Sequence, residues 1–456
     1  MEINKIHRVY FLGIGGIGMS ALARYFATLG KEVSGYDRTS TELTTALVQE
    51  GIPVHFTEEV EAIPDNIDLV IYTPAIPVDH KEYQYFLSHS ILMVKRSEVL
   101  GWLSQNLHCI AISGTHGKTS ISCMTTHLLK QAAVPVNGFI GGISVNYHTN
   151  LILTENAHTV VVEADEYDRS FLRLQPDIAV VSAVDADHLD IYKTHDALKS
   201  AFAEFISKIR TGGTLIINAM VDMPVETDKK VVTYGGPQSD YRAENIRVEA
   251  GSFVFNLVGP GIKIEDIHME VPGKHNVENA LAASAAAHLA GLDADEIKQG
   301  LETYKGVKRR FEFICKTRES VYVDDYAHHP EEIKACIGAA RALFPGRKIT
   351  GIFQPHLFSR TRDFAAGFSE ALSLLDEVVL LPIYPAREMP IPGVNSEMLM
   401  EQITCKEKAC MEQSEVESWV NTSTIDVLIT MGAGDIDKLV EKIKFVIEQK
   451  ELAQKK

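Results

Sequence analysis

The chain has 456 residues, of which 45% are hydrophobic and 23% charged, and its formal net charge is −17. This length predicts about three domains, each with an apolar core. The acidic balance excludes a general nucleic-acid-binding role, because contacts to a phosphate backbone need a basic face. A polyanionic substrate would have to be held by local donors and metal ions against the average field.

Neither a membrane span nor a secretion signal is predicted. No run of about 18 apolar residues is present, and the first residues lack the charged, apolar and small-residue pattern of a signal peptide. The six cysteines form no C-x-x-C pair and are interpreted as reduced thiols. We therefore expect a cytoplasmic protein with no membrane span.

Strands and helices alternate in three blocks, which predicts an α/β fold with domains at 1–106, 107–306 and 307–456. The first block has a βαβ rhythm typical of a parallel sheet. The second opens with the strand "HCIAISG" and the helix "TSISCMTTHLLKQA", and its stretch 231–272 is more typical of antiparallel strands. The first and third blocks are predicted to be Rossmann-like sheets, and the second a central parallel sheet.

A glycine-rich stretch, "FLGIGGIGMS", follows the first predicted strand. Gly13, Gly15 and Gly18 have G-x-G-x-x-G spacing and precede a predicted helix, as in dinucleotide-binding folds. Asp37 lies about twenty residues on, where a ribose-binding acid is expected. A helix N-terminus with closely approaching backbone recognises any pyrophosphate, so NAD and other diphosphates both remain open here.

A second glycine-rich stretch, "SGTHGKTS", predicts a nucleoside-triphosphate loop between a strand and a helix. Its glycines would let backbone N–H groups face phosphates, Lys118 would reach the β- and γ-phosphates, and the Thr119 hydroxyl could bind Mg²⁺. The leading glycine of the long consensus is replaced by Ile112. The predicted ATP-binding stretch consists of Gly114, Thr115, His116, Gly117, Lys118, Thr119 and Ser120.

Acidic and histidine side chains follow the next predicted strands. Glu163 and Asp165 end one strand, and Asp187, His188 and Asp190 end another. Taken singly, such residues are commonly caps or turn formers. Beside a phosphate loop they predict a shell for one or two Mg²⁺ ions.

Nine motifs in order make the chain resemble the Mur ligases of peptidoglycan synthesis, from about residue 6 to about 440. They are "GIGGIGMSALA", "SGTHGKTS", "EADEYDRSFL", "DADHLDIY", "PGKHNVENA", "RRFE", "DDYAHHP", "QPHLFSRTRD" and "MGAGDI". The resemblance implies an N-terminal UDP-sugar domain, a central P-loop ATPase and a C-terminal Rossmann-like domain. It implies an ATP-dependent ligation of L-alanine to the carboxylate of UDP-N-acetylmuramate through an acyl phosphate.

The resemblance also implies roles for individual residues in the ATP site. Lys118 would hold the β- and γ-phosphates, Thr119 and Glu163 one Mg²⁺, and His188 a second. The adenine site would include His275, Asn276 and Asn279, although Asn276 could instead simply cap its helix. Arg310 would reach the phosphates, and Asp325 and His328 would contact ribose or phosphate.

In the substrate sites, the resemblance assigns the first glycine loop to the diphosphate of the UDP-sugar. Tyr326 and Arg360 would orient the alanine, although Leu357 stands where many relatives have an arginine. Because the site draws on separate domains, closure on substrates is expected. The UDP-sugar residues implied are Gly13, Gly15, Gly16, Ile17, Gly18, Asp37, Thr73, Ala75 and Asn146.

Three alternatives remain at this point. A recycling ligase would attach a ready-made tripeptide to the same UDP-sugar with the same ATPase motifs. An NAD-dependent oxidoreductase would use the first glycine loop, and a non-enzymatic nucleotide switch would use the second. With small-molecule substrates and no nucleic acid among its partners, the chain is expected to be a monomer or a weak dimer.

Overall fold

The computed structural model describes residues 3–185, 189–249, 252–386 and 388–454. Two compact units are present, the first made of 1–245, 255–267 and 278–305, and the second of 246–254, 268–277 and 306–456. The first two predicted domains both lie mainly in the first unit, so the division into three domains stays a prediction. Within the described ranges, no helix is long and apolar enough to cross a membrane.

The first sheet has the strand order β3-β2-β1-β4-β5, and its strands pair in parallel as predicted. Leu12 is in register with Tyr36 and Tyr72, so the residues after these three strands emerge at one edge. The strands are β1 Arg8–Leu12, β2 Glu32–Tyr36, β3 Val54–His55, β4 Leu69–Tyr72 and β5 Met93–Lys95. The helices are α1 Ile17–Thr28, α2 Glu42–Gln49, α3 Lys81–Ser88 and α4 Arg96–Asn106.

The second sheet has the order β12-β11-β10-β6-β9-β7-β8 and is parallel except for the β7–β8 pair. Its strands are β6 His108–Ser113, β7 Val136–Phe139, β8 Leu151–Ile152, β9 Thr159–Glu163, β10 Ile178–Val181, β11 Thr214–Asn218 and β12 Lys230–Tyr234. Its helices are α5 Lys118–Gln131, α6 Leu189–Tyr192 and α7 His195–Ser207, with a 3-10 helix at Tyr167–Arg173.

The antiparallel expectation for 231–272 is wrong for β12, which pairs in parallel with β11. Its first residues are exposed at the sheet edge, which gave this strand the mixed polarity of a surface strand. A separate three-stranded sheet follows, in the order β13 Arg242–Glu249, β14 Ser252–Gly259 and β15 Ile262–Met269. Two helices come next, α8 Lys274–Leu289 and α9 Ala294–Thr303.

The last sheet has the order β16-β17-β21-β18-β19-β20 and is parallel except for β16. Its strands are β16 Glu312–Lys316, β17 Val321–Asp325, β18 Ile349–Phe353, β19 Glu377–Leu380, β20 Glu407–Cys410 and β21 Val427–Met431. The helices are α10 Pro330–Leu343, α11 Phe358–Asp363, α12 Ala365–Leu372, α13 Ser396–Gln402, α14 Gln413–Thr422 and α15 Val440–Gln454.

One apolar cluster fastens the first two sheets of the first unit together. It includes Val9 and Phe11 of β1 as well as Val160 and Val162 of β9, all fully buried. Burying such side chains is the main favourable term in folding. The edge of the first sheet that carries the glycine loop is therefore held in place against the central sheet.

Candidate active site

The first glycine loop is a tight turn that admits no side chain at its start. Gly13 has a φ of +85°, and a Cβ there would lie 2.5 Å from Thr73 Cγ2. The Gly15 amide donates to Asp37 Oδ2 at 2.7 Å. The structure thus brings together three predicted UDP-sugar residues, Gly13, Asp37 and Thr73, at the carboxyl ends of β1, β2 and β4.

The helix after this loop presents an open N-terminus. α1 begins at Ile17 behind Gly16, no side chain caps it, and its first turn holds no acidic residue. The first amides of a helix lack intrahelical acceptors and carry the positive end of the dipole. This end of α1 is thus suited to an anion.

A cleft of about 250 Å³ extends from this helix end to the central sheet. Sequence reasoning missed one of its residues, Arg96, although its place directly after β5 is a signal of the same kind as that of Asp37. A Cβ on Gly18 would lie 2.5 Å from Arg96 Nη1, so the guanidinium rests on the first turn of α1. The lining includes Gly16, Ile17, Gly18, Thr73, Arg96, Gly141, Glu163 and Asp165.

The second glycine loop joins β6 to α5, as predicted. Gly114 has a φ of +133°, and a Cβ there would lie 2.1 Å from Ser182 Oγ. The Ser182 hydroxyl donates to the Ser113 and His116 carbonyls, and the Thr115 amide donates to the Ala183 carbonyl at 2.9 Å. The residues after β10 therefore hold the loop in place through these hydrogen bonds.

Lys118 is held by three hydrogen bonds in a largely buried position, with 13% of its side chain exposed. Its Nζ donates to the Gly114 carbonyl at 2.7 Å and to the two Glu166 carboxylate oxygens at 2.8 and 2.9 Å. Burial alone would lower the pKa of Lys118, but the charges of Glu166 and Asp165 outweigh it and raise that pKa. Glu166, whose side chain is 0% exposed, was missed because the sequence stretch "EADEYD" offers several equivalent acids.

The donors for a metal ion lie beside this lysine. Thr119 Oγ1 donates to Glu163 Oε1 at 3.2 Å, and the Gly141 amide donates to Glu163 Oε2 at 3.0 Å. A hydroxyl and a carboxylate are hard oxygen ligands of the kind Mg²⁺ takes, with water and substrate phosphates supplying the rest. No group of three or more His, Cys, Asp or Glu side chains that could hold a metal occurs in the described part of the chain.

The other predicted residues of the first unit differ in placement. Asn279 Oδ1 lies 2.7 Å from where a Cβ on Gly117 would stand, which places Asn279 against the loop. The Asn146 amide donates to the Thr303 carbonyl and accepts from the Lys305 amide, both at 2.8 Å, so it fastens the end of α9. Ala75 is exposed in its turn. His188, like Asp187, falls outside the described residues, and its metal-binding role stays a prediction.

The second unit has its own polar cluster at the end of β17. Asp325 is buried and accepts from the Phe311 amide at 2.8 Å and the Ala327 amide at 2.7 Å. Burial raises the pKa of Asp325 to about 6, although the charge of Arg310 acts in the opposite direction. The Arg310 guanidinium lies 5.2 Å from the centroid of the Tyr326 ring, a cation–π distance, and 3.8 Å from Glu332 Oε1.

Two histidines share this cluster with Arg310. Burial, followed by the charge of Arg310, lowers the pKa of His275 to about 4. Burial also lowers the pKa of His328, whose backbone amide donates to Glu332 at 3.0 Å. A neutral imidazole keeps one acceptor nitrogen, which suits contacts to hydroxyl or N–H groups. The neighbouring Asn276 amide donates to the Pro272 carbonyl at 2.7 Å and so also supports its own loop.

The segment carrying Arg360 follows β18 and begins with an unusual backbone. Leu357 has a φ of +69°, a conformation that costs a non-glycine residue free energy, and it directly precedes α11. Arg360 lies on α11, and its charge contributes to the lowered pKa of His328. The structure therefore places Arg360 near the His328 and Arg310 cluster of the same unit.

Comparisons with known proteins agree along nearly the whole chain. Sequence profiles match the catalytic domain of the Mur ligase family at residues 8–108, the Mur ligase middle domain at 112–287, and the glutamate ligase domain of the Mur ligases at 309–436. The UDP-N-acetylmuramate–L-alanine ligase of Cytophaga hutchinsonii is 46% identical over 460 residues, with 99% of each chain covered. That of Phocaeicola vulgatus is 46% identical, with 99% of this chain and 100% of the relative covered.

Solved structures give the same result. The crystal structure of the UDP-N-acetylmuramate–alanine ligase of Thermotoga maritima superposes with a TM-score of 0.84 at 29% identity, covering 98% of this chain and 99% of that one. A murein peptide ligase from Psychrobacter arcticus shares the fold, with a TM-score of 0.71 at 21% identity over 97% of this chain and 98% of its own. The chain belongs to the Mur ligase family, whose members are ATP-dependent ligases.

Proposed function

We propose that this chain joins L-alanine to the carboxylate of UDP-N-acetylmuramate at the expense of ATP, a step of peptidoglycan synthesis. The names of its relatives support this assignment. The observation that carries it is the cleft that connects the glycine loop at α1 with Glu163 beside the phosphate loop. Such a cleft suits a substrate with a diphosphate at one end and a reacting carboxylate at the other.

The chemistry requires ATP because a carboxylate is a poor acyl donor. The carboxylate oxygen attacks the γ-phosphorus, ADP leaves, and an acyl phosphate forms. The amine of L-alanine then attacks the acyl carbon, and inorganic phosphate leaves with the C–O bond electrons while the amine loses a proton. Catalysis of this kind consists mainly of positioning and of neutralising clustered negative charge.

The phosphate loop supplies the first part of that neutralisation. Lys118 binds the β- and γ-phosphates, exchanging part of its contact with Glu166 for phosphate oxygens. Thr119 and Glu163 would hold Mg²⁺, and His188 would hold a second ion. Bound there, Mg²⁺ would supply charge neutralisation on the transferred phosphoryl group.

The UDP-sugar is bound by the first glycine loop. Ile17 and Gly18, at the start of α1, offer backbone amides to the diphosphate, and Asp37 accepts from the ribose hydroxyls. The amides of Gly15 and Gly16 are bonded to Asp37 and to the Gly13 carbonyl, so these glycines shape the turn. Thr73 and Ala75 lie in the turn after β4, toward the uridine side. Asn146, whose amide fastens α9, acts on the sugar only through the placement of its loop.

Further residues are assigned to ATP and alanine binding. Arg310 stabilises charge on the phosphates, and Asp325 and His328 contact ribose or phosphate. Tyr326 and Arg360 orient the alanine, with Arg360 pairing with its carboxylate. His275, Asn276 and Asn279 recognise the adenine.

A recycling ligase that attaches a ready-made tripeptide is the second candidate. The structure of the Psychrobacter arcticus murein peptide ligase supports only the shared fold, since its identity is 21%. The relatives at 46% identity are named for the alanine reaction. Alanine is therefore the preferred amine.

The test measures phosphate release from ATP and Mg²⁺ in the presence of UDP-N-acetylmuramate, with and without L-alanine. We expect release to require all substrates, and the product to be heavier by one alanine residue. Release triggered by the tripeptide but not by L-alanine would assign the recycling reaction instead. Tight NAD(H) binding without phosphate release would support the oxidoreductase alternative instead.

A further inference from the structure

Arg96 has no role in the function proposed above, yet it lies against the glycine loop. We infer that its guanidinium is a binding residue for the diphosphate of the nucleotide-sugar, an inference that rests on the proposed function. Arg96 begins α4 directly after β5, at the same sheet edge as Gly13, Asp37 and Thr73. It lines the cleft, and Arg96 Nη1 lies 2.5 Å from where a Cβ on Gly18 would stand.

Nothing in the described residues offsets the unfavourable position of the Arg96 charge. It occupies the first position of α4, where a positive charge opposes the helix dipole. The neighbouring Lys95 pairs with Asp168 at 3.2 Å, but the Arg96 side chain makes no hydrogen bond or ion pair with any described residue. A half-buried cation kept in an unfavourable place without a partner is typical of a functional site.

The charges of the cleft decide which part of the substrate Arg96 meets. Arg96 is the one cationic side chain among the described residues that line it, and it rests on the first turn of α1. Glu163 and Asp165 lie in the lining contributed by the central sheet. The diphosphate belongs at the end with the helix N-terminus and the guanidinium, because an anion is stabilised by both.

The two-pronged guanidinium of Arg96 also supplies the phosphate donors that the first glycine loop lacks. The first glycine loop has no lysine of its own, and its Gly15 amide is already bonded to Asp37. Arginine binds phosphate oxygens with two parallel N–H bonds, whereas lysine provides a point charge. Lysine at this position should therefore recover only part of the binding.

The experiment measures binding by calorimetry, with Arg96→Met and Arg96→Lys compared with the unchanged chain. Methionine retains an unbranched chain against Gly18, and thermal unfolding checks that each variant is folded. The ligands are UDP and UDP-N-acetylglucosamine, which carry the diphosphate but lack the muramoyl carboxylate, and UDP-N-acetylmuramate. The control is Arg173→Met, an exposed arginine of the same unit that does not line the cleft.

We expect Arg96→Met to weaken the binding of all three nucleotides by a similar factor of about 10- to 100-fold, and Arg96→Lys to weaken it by less. The KM for UDP-N-acetylmuramate should rise while the KM for ATP stays unchanged. If only the binding of UDP-N-acetylmuramate were weakened, the inference would be overturned and Arg96 would be assigned to the muramoyl carboxylate. Unchanged binding of all three would overturn it outright. If the unchanged chain binds UDP but ligates no alanine, the proposed function fails while the result on Arg96 still stands.

Discussion

The two glycine loops of the first unit have the same local design but different surroundings. Each follows a buried parallel strand, contains glycine with positive φ (Gly13 in the first, Gly114 and Gly117 in the second) and leads into a helix. At the phosphate loop, Lys118 is the first residue of the helix that follows the loop, and it is held by the buried Glu166. At the first loop, the cation is Arg96, from the start of α4, and the acid Asp37 comes from the end of β2.

This difference explains how one chain uses two loops for two ligands. The glycines provide turns that expose backbone amides to any phosphate. The hydroxyl of Thr119 and the carboxylate of Glu163 add oxygen donors for Mg²⁺ beside the second loop, which suits a triphosphate. The first loop has no such pair on its own strand–turn–helix segment, and an arginine is the partner that suits a diphosphate without a metal.

The largest effect is expected from Lys118→Met. Loss of this cation should lower kcat/KM by about 10³-fold or more, because the β- and γ-phosphates lose their closest positive charge. It should also destabilise the fold by about 3 to 5 kcal/mol, since the buried Glu166 carboxylate would lose the positive charge of Lys118. Phosphate release and thermal unfolding measure the two effects.

The double variant Lys118→Met with Glu166→Gln separates these effects. A neutral amide at residue 166 removes the buried negative charge that Lys118 offset, so stability should largely return while activity does not. If activity returned with stability, Lys118 would be a structural residue, and the contrast between the loops would fail.

Glu163→Gln should have the next largest effect. The amide keeps the shape of the side chain but loses the charge that favours Mg²⁺, so the Mg²⁺ concentration needed for half-maximal rate should rise by about 100-fold. The rate measured against Mg²⁺ concentration gives this value. Binding of UDP alone should be unchanged in calorimetry, and a loss there would show that Glu163 instead holds the first loop together.

The sequence predicts both loops well because each depends on local rules. Glycine spacing, the preceding apolar strand and the following helix are all visible within about twenty residues. The α/β class and most strands follow from the alternating pattern for the same reason. Asp37 could also be found, since its distance from the loop is set by one βαβ unit.

The partners of the loops could not be predicted because they come from distant segments. Glu166 is one of several acids in "EADEYD", and only the folded chain shows that it is the carboxylate that meets Lys118. Arg96 is 78 positions from Gly18, with four strands between them. The structural use of Asn146 likewise depends on the end of α9, more than 150 positions away.

Gly13→Ala tests the first loop alone. The alanine would have a φ near +85° and a Cβ 2.5 Å from Thr73 Cγ2, so the turn must shift. We expect the KM for UDP-N-acetylmuramate to rise by about 10-fold and the KM for ATP to stay unchanged. Gly30→Ala is the matched control, because it has a φ of +72° but no neighbour within 4 Å. An equal rise in both KM values would mean that the two loops are not independent.

The last prediction, with the smallest effect, concerns the helices that follow the two loops, α1 and α5, and how their stability depends on pH. His127 fastens α5 through bonds to the Tyr147 hydroxyl at 2.9 Å and the Thr303 hydroxyl at 3.0 Å. Burial lowers the pKa of His127 to about 4. α1 is fastened instead by the Arg24–Glu50 ion pair, whose atoms are 2.7 Å apart. The buried His127 imidazole resists the charge that protonation brings, and the ion pair of α1 contains no histidine. Mild acid should therefore loosen the helix of the second loop.

The direction in which stability changes with pH follows from the unfolded chain, in which a histidine has a pKa of about 6.5. Between pH 6.5 and 4 the unfolded chain binds the proton first, so stability is fully present above pH 6.5 and falls as the pH drops. His127→Gln should be less stable at pH 7 and lose less on acidification, and the difference amounts to at most about 3 kcal/mol between pH 7 and 4. Chemical unfolding at a series of pH values measures it, with the exposed His158→Gln as control. Parallel profiles of the unchanged chain and His127→Gln would show that the buried imidazole is not the acid-sensitive anchor of α5.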